Sequence, residues 1–218
     1  MQLNTVIFDM DGLLIDSEPL WNEAATTIFS AYGIHLTPQQ YATTTGMRTK
    51  EFIHRWFSYF NIPINDSGAI ENDIIEKVIE LVVVKGRPMP GLAHIFNFFI
   101  DRGFKIGLAS SSPGNLINKV VDLLKIRNHL HTITSASNLK YGKPHPEVYL
   151  NCAFELGALP SECICFEDSF PGMIAVKAAA MKCVVVPDHK IDKDLKWHAA
   201  DLKISSLQNF NELLLQSL

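Results

Sequence analysis

The sequence predicts an α/β fold: a doubly wound, Rossmann-like parallel sheet with an inserted all-helical domain. Three observations lead there. Short β-rich runs alternate with helical patterns from residue 92 onward, the signature of a parallel sheet covered by helices. One further strand stands alone at the start of the chain. Between it and the alternation, residues 16–85 carry helical patterns and no convincing strand. The sheet domain is therefore expected to comprise residues 1–15 and 86–218, the insertion residues 16–85, with hinges at Leu14–Ser17 and Gly86–Gly91.

The first strand, Leu3–Phe8, is a short apolar run stopped by Asp9 and Gly12. Ser17 is placed to cap a helix over Glu18–Tyr32, with Glu18 and Glu23 suited to its start and Gly33 to its end. Thr37-Pro38 reads as an N-cap followed by its first helical residue. Helices are expected over Lys50–Phe60 and Ala69–Val84, the latter with an apolar stripe of Ile70, Ile74, Ile75, Val78, Leu81 and Val82. The alternation then runs helix Leu92–Arg102, strand Lys105–Ala109, helix Pro113–Ile126 and strand Thr132–Ser135. It continues with helix Pro146–Leu156, strand Cys163–Phe166, helix Pro171–Ala180, strand Cys183–Val186 and helix Leu207–Leu215.

Composition narrows the function. The chain has 218 residues, 47% hydrophobic and 19% charged, with mean hydropathy +0.11, enough apolar side chain for a core and incompatible with a disordered chain. The formal net charge of −4 argues against a nucleic-acid partner. No uncharged apolar run approaches the ~18 residues of a membrane span, and the first residues lack the basic start of a secretory signal. Cys152, Cys163, Cys165 and Cys183 have no disulfide or zinc spacing and read as buried small hydrophobes in a reducing cytoplasm. A monomer is expected. Serine-hydrolase, dinucleotide and P-loop motifs are absent, as is a zinc-binding histidine pair. His145 reads as a helix cap, His54 as a surface residue, and the Trp56, Phe57, Tyr59, Phe60 cluster as core packing.

In an open parallel sheet the ligand sits beyond the carboxyl ends of the strands. The residues there are Asp9 and Asp11 after the first strand, Ser110, Ser111 and Ser112 after the second, Lys143 in the loop after the third, and Glu167 and Asp168 after the fourth. Singly, each has an ordinary structural explanation: a turn, an N-cap before Pro113, a solvated lysine, a helix cap. Together they place like charges at the end of a buried sheet, which is costly without a cation. Carboxylate oxygens without His or Cys select Mg²⁺. The chemistry that follows is phosphoryl transfer, with Asp9 as nucleophile and Asp11 as general acid and base. Ser110 and the backbone N–H groups of the following helix would hold phosphoryl oxygens, and Lys143 would neutralise transition-state charge.

These segments, VIFDMDG, GLASSS, KPHPEVY and CFEDS, resemble in order and spacing the four motifs of the haloacid-dehalogenase superfamily of aspartate-nucleophile phosphohydrolases. FDMDGLLIDSEPLW and YGKPHPEVYL resemble its β-phosphoglucomutase-like branch. The resemblance implies a helical cap in residues 16–85 and a small phosphorylated sugar or sugar alcohol as substrate. It implies Asp9 and Asp168 as side-chain ligands of Mg²⁺ and Asp11 as a ligand through its backbone carbonyl, with Glu167 in the same acidic set. Ser110 and Ser111 would line the phosphate pocket, and Lys143 would contact phosphate and nucleophile. Arg48, in the Gly46-Met47-Arg48 turn, is either a solvated arginine or a substrate-binding residue, and the resemblance favours the second. A phosphosugar mutase is the alternative activity. The related mutases carry a cap-linker histidine where this chain has Trp21, which favours hydrolysis. A phosphorylatable receiver domain has the wrong order of motifs.

Overall fold

The computed structural model describes residues 3–218. Its centre is a six-stranded sheet of β1 (Thr5–Phe8), β2 (Lys105–Ser110), β3 (Thr132–Ser135), β4 (Cys163–Glu167), β5 (Lys182–Val185) and β6 (Leu202–Lys203). The strand order is β3-β2-β1-β4-β5-β6, every pair parallel. The order reverses direction between β1 and β4, and the crevice at such a switch point is where these sheets bind ligands.

Alternation along the strands sorts side chains into two cores. Val6, Phe8, Leu108, Phe166 and Val184 face one side, where Phe8 stacks on Phe96 at 5.2 Å and packs against Phe99 and Phe166. Ile7, Ala109, Cys165, Cys183 and Val185 face the other, against Tyr149, Met173 and Trp197. All four cysteines are buried and unpaired. The covering helices are α5 (Leu92–Ile100), α6 (Gly114–Leu123), α7 (Glu147–Glu155), α8 (Phe170–Ala178) and α9 (Glu212–Gln216).

Four helices lie between β1 and α5: α1 (Glu18–Ser30), α2 (Pro38–Ala42), α3 (Thr49–Tyr59) and α4 (Ser67–Lys85). They bury Phe29, Ile53, Phe57, Ile74 and Val78 among themselves, with Phe29 stacked on Phe52. Thr37 and Gln40 form a reciprocal capping box at α2, and Asp66 caps α4. The two connections to the sheet run side by side: Asp16 N–H donates to Arg87 O and Met89 N–H to Leu14 O, both at 2.9 Å. No helix among the described residues is long and apolar enough to cross a membrane.

Several sequence expectations change. The expected helix over 207–215 is two pieces, a 3₁₀ turn at Leu207–Asn209 and α9, because Phe210 is extended and Asn211 caps a new helix. β6, two residues long, was too short to leave a pattern. Ser17 does not cap α1, and α6 begins after Pro113 rather than on a Ser112 cap. Both serine hydroxyls are used elsewhere, as described next.

Candidate active site

The register of β1 against its neighbours builds the site. Phe8 pairs with Leu108 on one side and Phe166 on the other, so Asp9, Ser110 and Glu167 emerge together at one sheet edge. Asp9 N–H donates to Phe166 O at 3.0 Å, which holds Asp9 at the switch point. The loop after β3 returns to the same place and delivers Lys143. Its Nζ donates to Asp9 Oδ1 at 2.5 Å and to Glu167 Oε1 at 2.6 Å.

Glu167, with no exposed surface, is saturated. Oε1 also accepts from the Tyr149 hydroxyl at 2.5 Å. Oε2 accepts from Ser169 Oγ–H at 2.9 Å and from the N–H groups of Ser169 and Asp168. A carboxylate offers about four lone-pair sites, and five donors already approach this one. The sequence places Glu167 in the acidic metal set without deciding between direct and water-mediated contact; here it is first the seat of Lys143. Ser169, not Glu167 or Asp168, caps α8, through the Gly172 N–H.

Asp11 stands apart from that cluster. Its Oδ1 accepts from Ser17 Oγ–H at 2.7 Å and from Trp21 Nε1–H at 2.9 Å; its Oδ2 accepts from Ser112 Oγ–H at 2.6 Å. Those three donors explain why neither serine caps a helix. They also hold the carboxyl in the lining of the cavity, outside the acidic group formed by Asp9, Glu167 and Asp168.

Ligand oxygens of Asp9, Glu167 and Asp168 lie within 4.8 Å of one another. Burial, then the charges of Glu167 and Asp11, pushes the Asp9 carboxyl well above its ordinary value, against the pull of Lys143. Burial, then Asp9, Glu167 and Glu18, does the same to Asp168. Burial alone would lower Lys143, but Asp9 and Glu167 more than reverse it, so the ammonium stays charged. One ammonium therefore faces three carboxyl groups. An all-oxygen set with an excess of negative charge fits a hard divalent cation.

Above the acids, between sheet and insertion, lies a cavity. Asp9, Asp11 and Ser110–Ser112 form its floor. Glu18, Asn22, Thr45 and Thr49 give it polar walls; Ala25, Met47, Phe52 and Ile74 give it apolar ones. None of the residues lining it is lysine or arginine. Sequence reasoning missed Glu18 and Asn22 as wall residues, although Glu18, Trp21, Asn22 and Ala25 share one face of α1 by helical spacing. Tyr149 was missed as well, with no signal beyond its place in the KPHPEVY run. Ser111 lines the cavity and donates its hydroxyl to Gly46 O at 2.8 Å, tying the sheet to the insertion. Arg48 does not line it. Its guanidinium, buried, turns to the loop after β3. The expectation that Arg48 holds substrate is not met by this geometry, because its N–H groups are spent on protein acceptors.

With the geometry established, comparison with known proteins adds identity. A family profile described as haloacid dehalogenase-like hydrolase matches residues 6–186. The chain is 39% identical over 211 residues to hexitol phosphatase B of Escherichia coli strain K12, covering 94% of this chain and 93% of that protein. It is 28% identical over 181 residues to the fructose-1-phosphate phosphatase of the same strain, covering 83% of this chain and 95% of that one. The crystal structure of β-phosphoglucomutase from Clostridium difficile superposes with a TM-score of 0.88 at 24% identity, over 99% of this chain and 96% of that one, a likeness of fold.

Proposed function

The chain belongs to the haloacid dehalogenase-like hydrolase family, and from that premise we propose that it is a Mg²⁺-dependent phosphatase of small phosphorylated sugars or sugar alcohols, working through an aspartyl-phosphate on Asp9. The observation that carries the proposal is Asp9, held at the sheet's switch point 2.5 Å from Lys143, on the floor of a cavity it shares with Asp11. The similarity to hexitol phosphatase B and to fructose-1-phosphate phosphatase supports a phosphorylated sugar or polyol as substrate.

An Asp9 oxygen attacks phosphorus as the bond from phosphorus to the substrate oxygen breaks, and Asp11 gives that leaving oxygen a proton. The ionised Asp11 then takes a proton from water. The resulting hydroxide attacks phosphorus, the bond to Asp9 breaks, and inorganic phosphate leaves. Ser110 and Ser111 bracket the phosphoryl oxygens, and Lys143 offsets their charge while fixing Asp9. Asp9 and Asp168, with the Asp11 backbone carbonyl, would hold Mg²⁺, with Glu167 behind them. When bound, the ion supplies positive charge against the transferring group. The polar wall of Glu18, Asn22, Thr45 and Thr49 suits hydroxyls of the leaving sugar.

A mutase of this family would have to hold a sugar bisphosphate. A cavity walled without lysine or arginine, and Trp21 donating to Asp11 where the mutases carry histidine, both favour hydrolysis. The test is a panel of phosphate esters assayed with Mg²⁺ for wild type and Asp9→Asn. Hexitol and hexose phosphates should release inorganic phosphate, and Asp9→Asn should release none while melting as a folded protein. Full turnover by Asp9→Asn would remove the covalent mechanism. Conversion of a sugar 1-phosphate to its 6-phosphate without net release would establish the mutase instead.

A further inference from the structure

We infer that Arg48 is a positioning residue for Lys143: it clamps the loop that carries the lysine, so that seating the helical insertion and assembling the reactive centre are one event. The inference rests on the phosphatase reading for its kinetic arm only. Arg48, 4% exposed, opens α3 on the insertion side. Its Nη1 donates across to Leu139 O at 2.6 Å and Ala136 O at 3.3 Å, both in the loop leading from β3 to Lys143. Its Nε donates to Glu51 Oε1 at 3.0 Å, and Nη2 donates to the same oxygen. A desolvated guanidinium is tolerable only when its planar fork is used in this way.

A second contact shows how closely the pair lies on the loop. A Cβ on Gly142, the residue before Lys143, would sit 2.6 Å from Arg48 Nε and 2.8 Å from Glu51 Oε2. The Arg48–Glu51 pair therefore rests on bare backbone one residue from the lysine. Lys143 in turn reaches Asp9 at 2.5 Å. A displacement of about 1 Å in a reacting constellation costs on the order of a hundredfold in rate. Releasing the clamp frees the loop to drift by that much, without removing any group that touches substrate.

The test uses Arg48→Ala, Arg48→Lys, Gly142→Ala and the Arg48→Ala/Gly142→Ala double variant, each shown folded by thermal melting. Hydrogen exchange of residues 136–143 is measured without substrate, and kcat and KM are measured on sorbitol 6-phosphate and 4-nitrophenyl phosphate. Arg48→Ala should speed exchange in the loop and lower kcat roughly ten- to a hundredfold on both substrates, with KM nearly unchanged. Arg48→Lys should rescue little, lacking the fork. Gly142→Ala should reproduce the loss, and the double variant should be no worse than Arg48→Ala, since both break one contact. Should Arg48→Ala fail to fold, Gly142→Ala carries the test with the arginine retained. A raised KM for the sugar phosphate alone, with kcat and loop exchange as in wild type, would overturn the inference and make Arg48 a substrate ligand. Unchanged exchange and kcat in Arg48→Ala and in Gly142→Ala would overturn it too. A wild type that hydrolyses no ester defeats the phosphatase reading, and loop exchange then still decides the clamp.

Discussion

Replacing Gly172 by alanine tests the architecture beneath Lys143. Gly172 lies in the first turn of α8, where alanine by itself would favour the helix by up to about 1 kcal/mol. The structure reverses that sign. A Cβ there would lie 1.9 Å from Glu167 Oε1, 2.0 Å from Cδ and 2.2 Å from Oε2. Neither contact partner can move cheaply: Glu167 is fully buried and accepts from Lys143, Tyr149, Ser169 and the Asp168 N–H, while the backbone of α8 is fixed by the Ser169 cap. Displacing the carboxylate strips Lys143 of one partner and leaves a buried charge unmatched, a loss of about 3–5 kcal/mol. For a chain of this length each kcal/mol moves Tm by about 2–4 °C, so melting should fall by roughly 6–20 °C. Turnover should fall with it, because Lys143 loses its second anchor. Circular-dichroism melting and phosphate release on one preparation measure both. An unchanged or raised Tm with full turnover would show that Glu167 is free to move and would refute the account of how Lys143 is held.

Two further outcomes are expected. Burial, with the charge of Asp11, raises Glu18 from 4.5 to about 7, so its contribution to stability is full below pH 4.5 and lost as pH rises through 7. In metal-free protein Glu18→Gln should therefore stabilise increasingly across that window, by at most about 3 kcal/mol above pH 7, and a denaturation difference independent of pH would contradict the burial argument. Chelator should silence phosphatase activity, Mg²⁺ should restore it and Ca²⁺ should not, since looser coordination misaligns attack; full activity in excess chelator would remove the metal from the mechanism.

The fold class was legible in the sequence because its signals are local. A strand announces itself by a short β-branched run and a helix by the spacing of Ile70, Ile74 and Val78, and neither needs knowledge of the partner. The acids were legible for a related reason: Asp9, Asp11, Glu167 and Asp168 lie at or just past the carboxyl ends of strands, and parallel strands bring those ends to one edge whatever their order. Tertiary structure decided which neighbours each polar group serves. Ser17 and Ser112 read locally as helix caps, yet both donate to Asp11, from 6 and 101 residues away in the chain. Glu167 read as a member of the acidic metal set, yet its carboxylate also accepts from Tyr149 and Lys143. Arg48 read as a substrate contact, yet its hydrogen bonds go to carbonyls 88 and 91 residues further on. A hydrogen bond satisfies a polar group equally well from any sequence distance, so the pairing of buried donors and acceptors leaves no periodic trace and emerges only when the strand register and the seat of the insertion are known.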